Sequence, residues 1–228
     1  GSNIASCSGL TAIFMTGATS GGTFSAATWT GGGGLGAWSQ NINPALATFT
    51  PSVASGSFTA TITLTGANGC GDVTDTRTIS WGTAPSTDAG GNITTCTGTA
   101  AILMTGATAS GTFSAATWTG GGGLGAWSQN IDPALATFTP SVPSGTFTAT
   151  LTLTGSNGCG NVTDTRTITW GTAPTVDAGS NITSCSGLTA ILMTGATTGG
   201  TFSAATWTGG GGLGAWSQNI NPALATFT

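Results

Sequence analysis

The chain repeats itself every 89 residues. The segment GTFSAATWTGGGGLGAWSQNI occurs three times without a change, beginning at Gly22, Gly111 and Gly200. The third copy reaches Thr228, 50 residues into the repeat. A near-identical repeat of this length is typical of an array of small structural units stacked along the chain. We therefore predict three consecutive domains, at residues 1–85, 86–174 and 175–228, the last of them partial.

Each copy contains a series of short β-strand patterns. In Thr146–Thr154 apolar residues alternate with threonine, so that one face is apolar and the other carries hydroxyl groups. Val162–Trp170 alternates too, and clusters of Gly, Pro, Asn and Ser separate such runs. About seven short strands in roughly 90 residues are typical of an immunoglobulin-like sandwich. The predicted fold class is all-β: tandem immunoglobulin-like β-sandwich domains with an 89-residue repeat.

The linkers between copies, Gly82–Asn92 and Gly171–Asn181, are short and each contains a proline. Proline stiffens a linker, so we expect neighbouring sandwiches to sit end to end rather than to swing freely. Asp88 and Asp177 lie in these linkers, where a calcium ion could stiffen the joint. Calcium needs about six to eight oxygen ligands and no Asp-rich run is present. We therefore predict no metal site and keep calcium as a minor alternative.

Few side chains are available for catalysis. The chain has no Glu, Lys, His or Tyr, and its charged residues are six Asp and two Arg. The usual general acids, bases and Schiff-base formers are therefore missing, and we predict that the chain is not an enzyme and uses no cofactor. Two Arg cannot form the basic surface that nucleic-acid binding requires. No apolar run approaches the ~18 residues of a membrane span, so none is predicted.

One glycine-rich segment imitates a nucleotide-binding motif. GGGGLG at Gly31–Gly36 fits the dinucleotide pattern, which also needs a following helix and an acidic residue ~20 positions on. The next acidic residue is Asp72, so nucleotide binding is not expected. We interpret the segment as a mobile or tightly turned hairpin flanked by Trp29 and Trp38, with these tryptophans in packing roles rather than forming a carbohydrate platform.

The cysteines follow the repeat. We predict disulfides within the complete copies, Cys7–Cys70 and Cys96–Cys159, and the repeat-equivalent partner of Cys185 would follow Thr228. A pair of free, buried thiols in each copy is the alternative. Two cysteines without His cannot fill a tetrahedral metal site. Disulfides imply an oxidising compartment, so the expected localisation is extracellular or at the cell surface.

Charged and hydroxyl residues suggest further surface features. Asp75 and Arg77 are two apart on one predicted strand and point the same way, which predicts a surface salt bridge. The rows of threonine admit three interpretations: a polar strand face, attachment sites for O-linked sugars, or a flat ice-binding array. Asn92, Asn161 and Asn181 also begin N-glycosylation sequons.

Several motifs together resemble a known group of repeats. They are DAGSNITSCSG at 177–187, then GGTFSAATWTGG, ATFTPS and TATLTLTGSNGCGNVTDTRTITW. The pattern resembles the PKD-like or Ig-like repeats of large secreted surface proteins of Bacteroidota-type bacteria. The resemblance implies an extracellular, non-catalytic β-sandwich module and supplies no catalytic residues. This sequence departs from the group in its near-absence of charge and in the closeness of its copies.

The scarcity of charge favours a structural role. Isolated soluble domains normally carry many surface charges, whereas a surface of Thr, Ser, Ala and Gly suits packing against other copies. The first hypothesis is a segment of an extracellular filament or surface fibre that self-associates into a homopolymer. The alternative is an adhesin stalk or carbohydrate-binding module, with surface glycans as partners. The partial third copy would be completed by strands of a neighbouring chain, or it marks where a continuous polymer was cut; both remain open.

Overall fold

The computed structural model describes residues 1–185 and 187–228. The first copy folds into two facing sheets, with strand order β1-β7-β6-β3 in one and β2-β5-β4 in the other. The first strand runs parallel to the last, with Ser6 beside Trp81. The strands are β1 (Ile4–Ser6), β2 (Ile13–Phe14), β3 (Phe24–Thr30), β4 (Gly36–Ser39), β5 (Thr48–Pro51), β6 (Gly56–Gly66) and β7 (Val73–Trp81).

The second copy repeats this arrangement. Its sheets have the orders β12-β15-β16-β9 and β10-β14-β13, and an added two-stranded sheet pairs β8 with β11. The strands are β8 (Ser86–Asp88), β9 (Ile93–Thr95), β10 (Ile102–Leu103), β11 (Thr108–Ser110), β12 (Phe113–Thr119), β13 (Gly125–Ser128), β14 (Thr137–Pro140), β15 (Gly145–Gly155) and β16 (Val162–Trp170). The predicted all-β fold of tandem immunoglobulin-like sandwiches is confirmed, because each sandwich has a four-stranded sheet with a parallel edge strand facing a three-stranded sheet.

The third copy has a smaller set of strands. Its sheets are β17-β19 and β18-β21-β20. The strands are β17 (Thr175–Asp177), β18 (Ile191–Leu192), β19 (Thr197–Gly199), β20 (Trp216–Ser217) and β21 (Thr226–Phe227). Among the described residues, each copy has one short 3₁₀ turn, at Pro44–Leu46, Pro133–Leu135 and Pro222–Leu224. In the part of the chain that the structure describes, no helix is both long and apolar enough to cross a membrane.

Aromatic side chains fill the space between the sheets. In the first copy Trp29, Phe49 and Trp81 are at most 2 % exposed, and Ile79 is fully buried beside them. The second copy buries an equivalent cluster that includes Trp118, Phe138 and Trp170. Burying such large apolar surfaces is the main favourable contribution to folding.

The arginines lie inside the sandwiches rather than on the surface. Arg77 is 4 % exposed, and its guanidinium donates to the backbone carbonyls of Thr16 (3.1 Å) and Ser2. Asp75 instead accepts from the backbone N–H of Thr76 and pairs with the terminal amine of Gly1. The predicted Asp75–Arg77 surface salt bridge is therefore wrong. Both residues lie on the side of β7 that faces the core, but Arg77 is buried there and donates to backbone carbonyls, whereas Asp75 stays exposed near the start of the strand.

Candidate functional site: the joint between consecutive copies

The linker is anchored to the second sandwich as soon as it leaves the first. β7 ends at Trp81, and β8 pairs antiparallel with β11 of the second copy. Thr112 holds the intervening turn, because its hydroxyl accepts from the N–H of Thr83 (2.9 Å) and its own N–H donates to the Thr83 carbonyl (3.0 Å). Gly82 permits this approach, since a Cβ there would lie 2.6 Å from the Thr112 side chain. The linker is thus part of a sheet rather than a free tether.

A turn of the second copy reaches back to the first. This turn, Ser156–Gly160, connects β15 to β16. Asn157 donates from Nδ2 to the Trp81 carbonyl at 3.1 Å. Gly158 has a φ of +87°, and a Cβ on it would lie 2.5 Å from the carbonyl carbon of Ala5. A side chain at this position would therefore be strained in its own backbone and would also collide with the first sandwich.

A disulfide closes the same contact. Cys7, which follows β1 of the first copy, is bonded to Cys159 of the second, 152 residues further along the chain. Cys159 is 8 % exposed, and its sulfur lies 3.2 Å from the Thr83 carbonyl oxygen. This is a packing contact, because a bonded sulfur has no proton to donate. The joint therefore combines a paired linker, a docked turn and a covalent bond.

The predicted disulfides within each copy, Cys7–Cys70 and Cys96–Cys159, are wrong. The reason is the parallel pairing of the first strand with the last: Ser6 lies beside Trp81, so Cys7 sits at the far end of β7. Cys70 precedes the start of that strand at Val73. At ~3.3 Å per residue the nine residues of β7 separate the two cysteines by roughly 25–30 Å.

The second copy has the same arrangement, because Thr95 lies beside Trp170 while Cys159 precedes Val162. A disulfide needs Cα atoms within about 7 Å of each other. Cys70, Cys96 and Cys185 are free and exposed in this structure.

One carboxylate ties the end of the linker to the second sandwich. Asp164, on β16, accepts from the N–H of Ala89 at 2.7 Å. The bond from Ala89, followed by one from the N–H of Thr165, lowers the pKa of Asp164 below its ordinary value, because both stabilise the charged form. Asp88 and Asp177 each accept from a glycine N–H two residues on. Within residues 1–185 and 187–228 no three His, Cys, Asp or Glu side chains gather into a group that could hold a metal ion.

The glycine-rich segment is a tight turn that packs on the core. Gly31, Gly32 and Gly34 have positive φ, and a Cβ on Gly32 would lie 2.8 Å from the ring of Phe58. The indole N–H of Trp38 donates to the Gly31 carbonyl at 3.0 Å. The Trp38 ring stacks on Trp29 with centroids 5.7 Å apart. These contacts give the glycines a packing role.

Sequence reasoning missed the residues that make the joint. It did not identify Asn157, Gly158 or the Thr83–Thr112 pair as contacts between copies. The Asn-Gly pair next to each turn cysteine is the available signal, because it favours the positive φ that such a turn adopts.

Comparison with known proteins finds distant structural likenesses. No family model matches the chain, and no curated protein does. Extracellular domains 3–5 of Drosophila OTK align with a TM-score of 0.39 at 12 % identity, covering 73 % of this chain and 58 % of that one. A chimeric titin Z1Z2, functionalised with a KLER peptide from decorin, aligns with a TM-score of 0.29 at 18 % identity, covering 74 % and 92 %. Likenesses this weak say nothing about what this chain binds or does.

Proposed function

We propose that the chain is a non-catalytic structural segment of an extracellular filament or surface fibre that self-associates into a homopolymer. The observation that supports this proposal is the joint, where Cys7 of one copy is bonded to Cys159 of the next. A binding module needs only a tether between domains. A linker paired into a sheet, a docked turn and a covalent bond instead fix the direction of each copy relative to its neighbour.

The bond also supports an extracellular location. Disulfides persist in oxidising compartments and are rare where thiol reductants are abundant. In the chain-entropy model, a cross-link between residues 152 positions apart stabilises the joined state by roughly 5 kcal/mol. A fibre outside the cell would retain this contribution, because disulfides persist in an oxidising environment.

The outer face of each large sheet supports packing between copies. Every side chain on this face of β15 and β16 is a threonine, and the rows continue onto β12 through the pairs Thr117–Thr152 and Thr119–Thr150. Thr146 and Thr169 are hydrogen-bonded to each other at 2.9 Å. A face without charge does not repel a second copy, so it suits lateral association.

Electron microscopy of the assembled material tests the proposal. We expect ordered fibres whose axial repeat corresponds to one sandwich, and loss of that order for Cys159→Ser or after addition of reductant. Alkylation of the assembled fibres without reductant is the control, because it blocks free thiols and leaves Cys7–Cys159 and any other disulfide intact. Dispersed, flexible chains of beads would contradict the filament. An adhesin stalk would then be favoured, and binding to a glycan array would be measured next.

The threonine face favours a second candidate function, binding to an ordered water lattice. Its hydroxyl groups repeat every ~4.8 Å across the strands and every ~6.7 Å along them, which makes a regular two-dimensional grid. Thermal hysteresis measured on the chain tests this candidate. Replacement of Thr150 and Thr165 by Lys is expected to abolish any hysteresis, because the two residues face each other within the threonine face and Thr150 also faces Thr119 of β12.

A further inference from the structure

We propose that the disulfide seen at the first joint recurs at every joint, so that Cys96 bonds the turn cysteine of the following copy and Cys70 bonds the Cys7-type residue of a preceding copy. This inference rests on the proposed function as an array of these units. It assigns a partner to two cysteines that are exposed and free in this structure. The partner in each case is another copy of the same repeat.

The turn that carries Cys70 already has the shape of the docked turn. Asn68 and Gly69 have φ values of +54° and +84°, against +53° and +87° for their docked equivalents Asn157 and Gly158. The N–H of Cys70 donates to the Ala67 carbonyl at 3.0 Å, as that of Cys159 does to Ser156. A Cβ on Gly69 would meet nothing within 4 Å, so the surface that docks is open.

The site around Cys96 likewise has the shape of the occupied site around Cys7. The N–H of Gly171 donates to the Thr95 carbonyl at 3.0 Å, and that of Gly98 donates to Gly171 at 2.9 Å. At the first joint the equivalent bonds, from Gly82 to Ser6 and from Gly9 to Gly82, have the same lengths, 3.0 and 2.9 Å. The turn around Cys70 and the strand end around Cys96 therefore have the geometry of the joint without a partner bound.

The third copy is held in the orientation that would deliver its turn to Cys96. The hydroxyl of Thr201 accepts from the N–H of Thr172 at 3.1 Å, and the N–H of Thr201 donates to the Thr172 carbonyl at 2.9 Å. β17 pairs with β19 as β8 pairs with β11. These are the contacts that position the second copy on the first, so a completed third sandwich would place its turn cysteine next to Cys96.

The chemistry is thiol–disulfide exchange with a small disulfide oxidant such as oxidised glutathione. The thiolate of Cys96 attacks the oxidant, forms a mixed disulfide and releases one reduced thiol. The turn cysteine then attacks the sulfur of Cys96, forms the bond between copies and releases the second thiol. Two protons and two electrons leave the protein with the two released thiols.

A peptide that completes the third copy tests the inference on the full chain. The probe is a synthetic peptide of 39 residues with the sequence of residues 140–178, which follows the repeat-equivalent of Thr228. It is added in a glutathione redox buffer, the mixture is quenched in acid and digested with pepsin, and disulfide-linked fragments are identified by mass spectrometry. We expect the peptide cysteine to be linked mainly to Cys96, and the link to be lost in Cys96→Ser and retained in Cys185→Ser.

Specificity is checked with a matched peptide that carries alanine at the position of Gly158. We expect the link to Cys96 to fall to the level of random exchange with this peptide, because the docked turn has no room for a Cβ. A peptide cysteine shared evenly among Cys70, Cys96 and Cys185, or linked mainly to Cys185, would overturn the inference.

A single-chain form removes the dependence on peptide binding. The same 39 residues are appended after Thr228, and the oxidised protein is digested in the same way. A free thiol at Cys96 in the folded, lengthened chain would overturn the inference. Ordered fibres with Cys96 free would leave the filament proposal standing, whereas a Cys96 bond in a chain that never assembles would contradict the filament alone.

Discussion

The second and third copies contain the same 21-residue segment, yet only one of them forms its first long strand. In the second copy this segment contains β12 at Phe113–Thr119. In the third copy the equivalent residues, 202–208, form no strand. β12 is paired along its length with β15, and the sequence of the third copy reaches Thr228 before the counterpart of β15. The identical sequence thus has two structures that differ in the presence of a partner strand.

Short-range contacts survive in the third copy. The N–H of Trp207 donates to Gln218 at 2.7 Å, its indole donates to Pro222 at 3.1 Å, and its ring stacks on Trp216 at 5.5 Å. The matching stack in the second copy, between Trp118 and Trp127, has a centroid distance of 5.6 Å. The segment therefore determines its own turn and tryptophan pair, whereas the strand depends on a partner strand whose paired residues lie 31 to 42 positions away.

The largest expected effect comes from removing a core tryptophan in each copy. Trp118 lies on β12 opposite Leu151 of β15 and is 1 % exposed, so Trp118→Ala should destabilise the second sandwich by about 3–5 kcal/mol. Trp207→Ala should cost much less, because its ring is only half-buried. Unfolding in urea, monitored by hydrogen exchange of the amides in each copy, measures the loss of stability for both variants. Equal costs would mean that the local contacts, and not the partner strand, hold the segment.

The second comparison is between the two cysteine-bearing turns: the turn of Gly158 is docked on the first copy, and the turn of Gly69 is open to solvent. Gly69→Ala should cost about 1–2 kcal/mol for a side chain at positive φ. Gly158→Ala should cost more and should also open the joint, since its Cβ would collide with Ala5. The concentration of dithiothreitol needed to reduce Cys7–Cys159 reports the opening. It should fall for Gly158→Ala and stay unchanged for Gly69→Ala.

A smaller effect is expected from acid. The pKa of Asp164 is lowered in the folded chain, so the charged carboxylate contributes stability that is present above its ordinary pKa of 3.8 and is lost as the pH falls through the lowered value. The protection factor of the Ala89 amide, which is its exchange rate corrected for the intrinsic pH dependence, should therefore fall in that acidic range. In Asp164→Asn the protection factor of the same amide should not change with pH in this range. A wild-type protection factor that stays constant in acid would contradict the role of this carboxylate.

The smallest effect is expected at Asp72, because the equivalent position of the second copy is already an asparagine, Asn161. Asp72 accepts from the N–H of Gly66 at 3.0 Å, and Asn161 accepts from Gly155 at the same distance. Asp72→Asn should therefore change the free energy of unfolding by less than about 0.5 kcal/mol. Asp72→Leu, which cannot accept this bond, is the control and should destabilise the turn measurably in the same denaturation experiment.

Strand patterns were predictable from sequence because alternation is a local property. The predicted strands Thr146–Thr154 and Val162–Trp170 correspond to Gly145–Gly155 and Val162–Trp170 in the structure. The outward threonines and the inward Leu151 follow from the period of two. The same kind of alternation places Arg77 on the core side of β7, but its charge suggested a surface position.

The disulfide partners were not predictable, because equivalent cysteines occur in every complete copy and the sequence does not show which copy supplies the partner of Cys7. The position of Cys159 in its copy is that of Cys70 in the first, so the spacing fits a bond within a copy or between copies. The parallel pairing of Ile4 with Ile79 decides between them, since it moves Cys7 to the end of the sandwich that faces the next copy. No local pattern reports parallel pairing between the two ends of a unit.

The reach of the Cys7–Cys159 bond also bears on how such a gene can change length. Its two cysteines are one repeat plus 63 residues apart in the sequence. If the bond recurs at every joint, as proposed above, each copy supplies one cysteine to the neighbour on either side. Unequal recombination between near-identical copies removes or adds whole multiples of 89 residues. Such an event leaves each remaining joint with both of its cysteines. The array can therefore become shorter or longer without leaving an unpaired thiol at an internal joint.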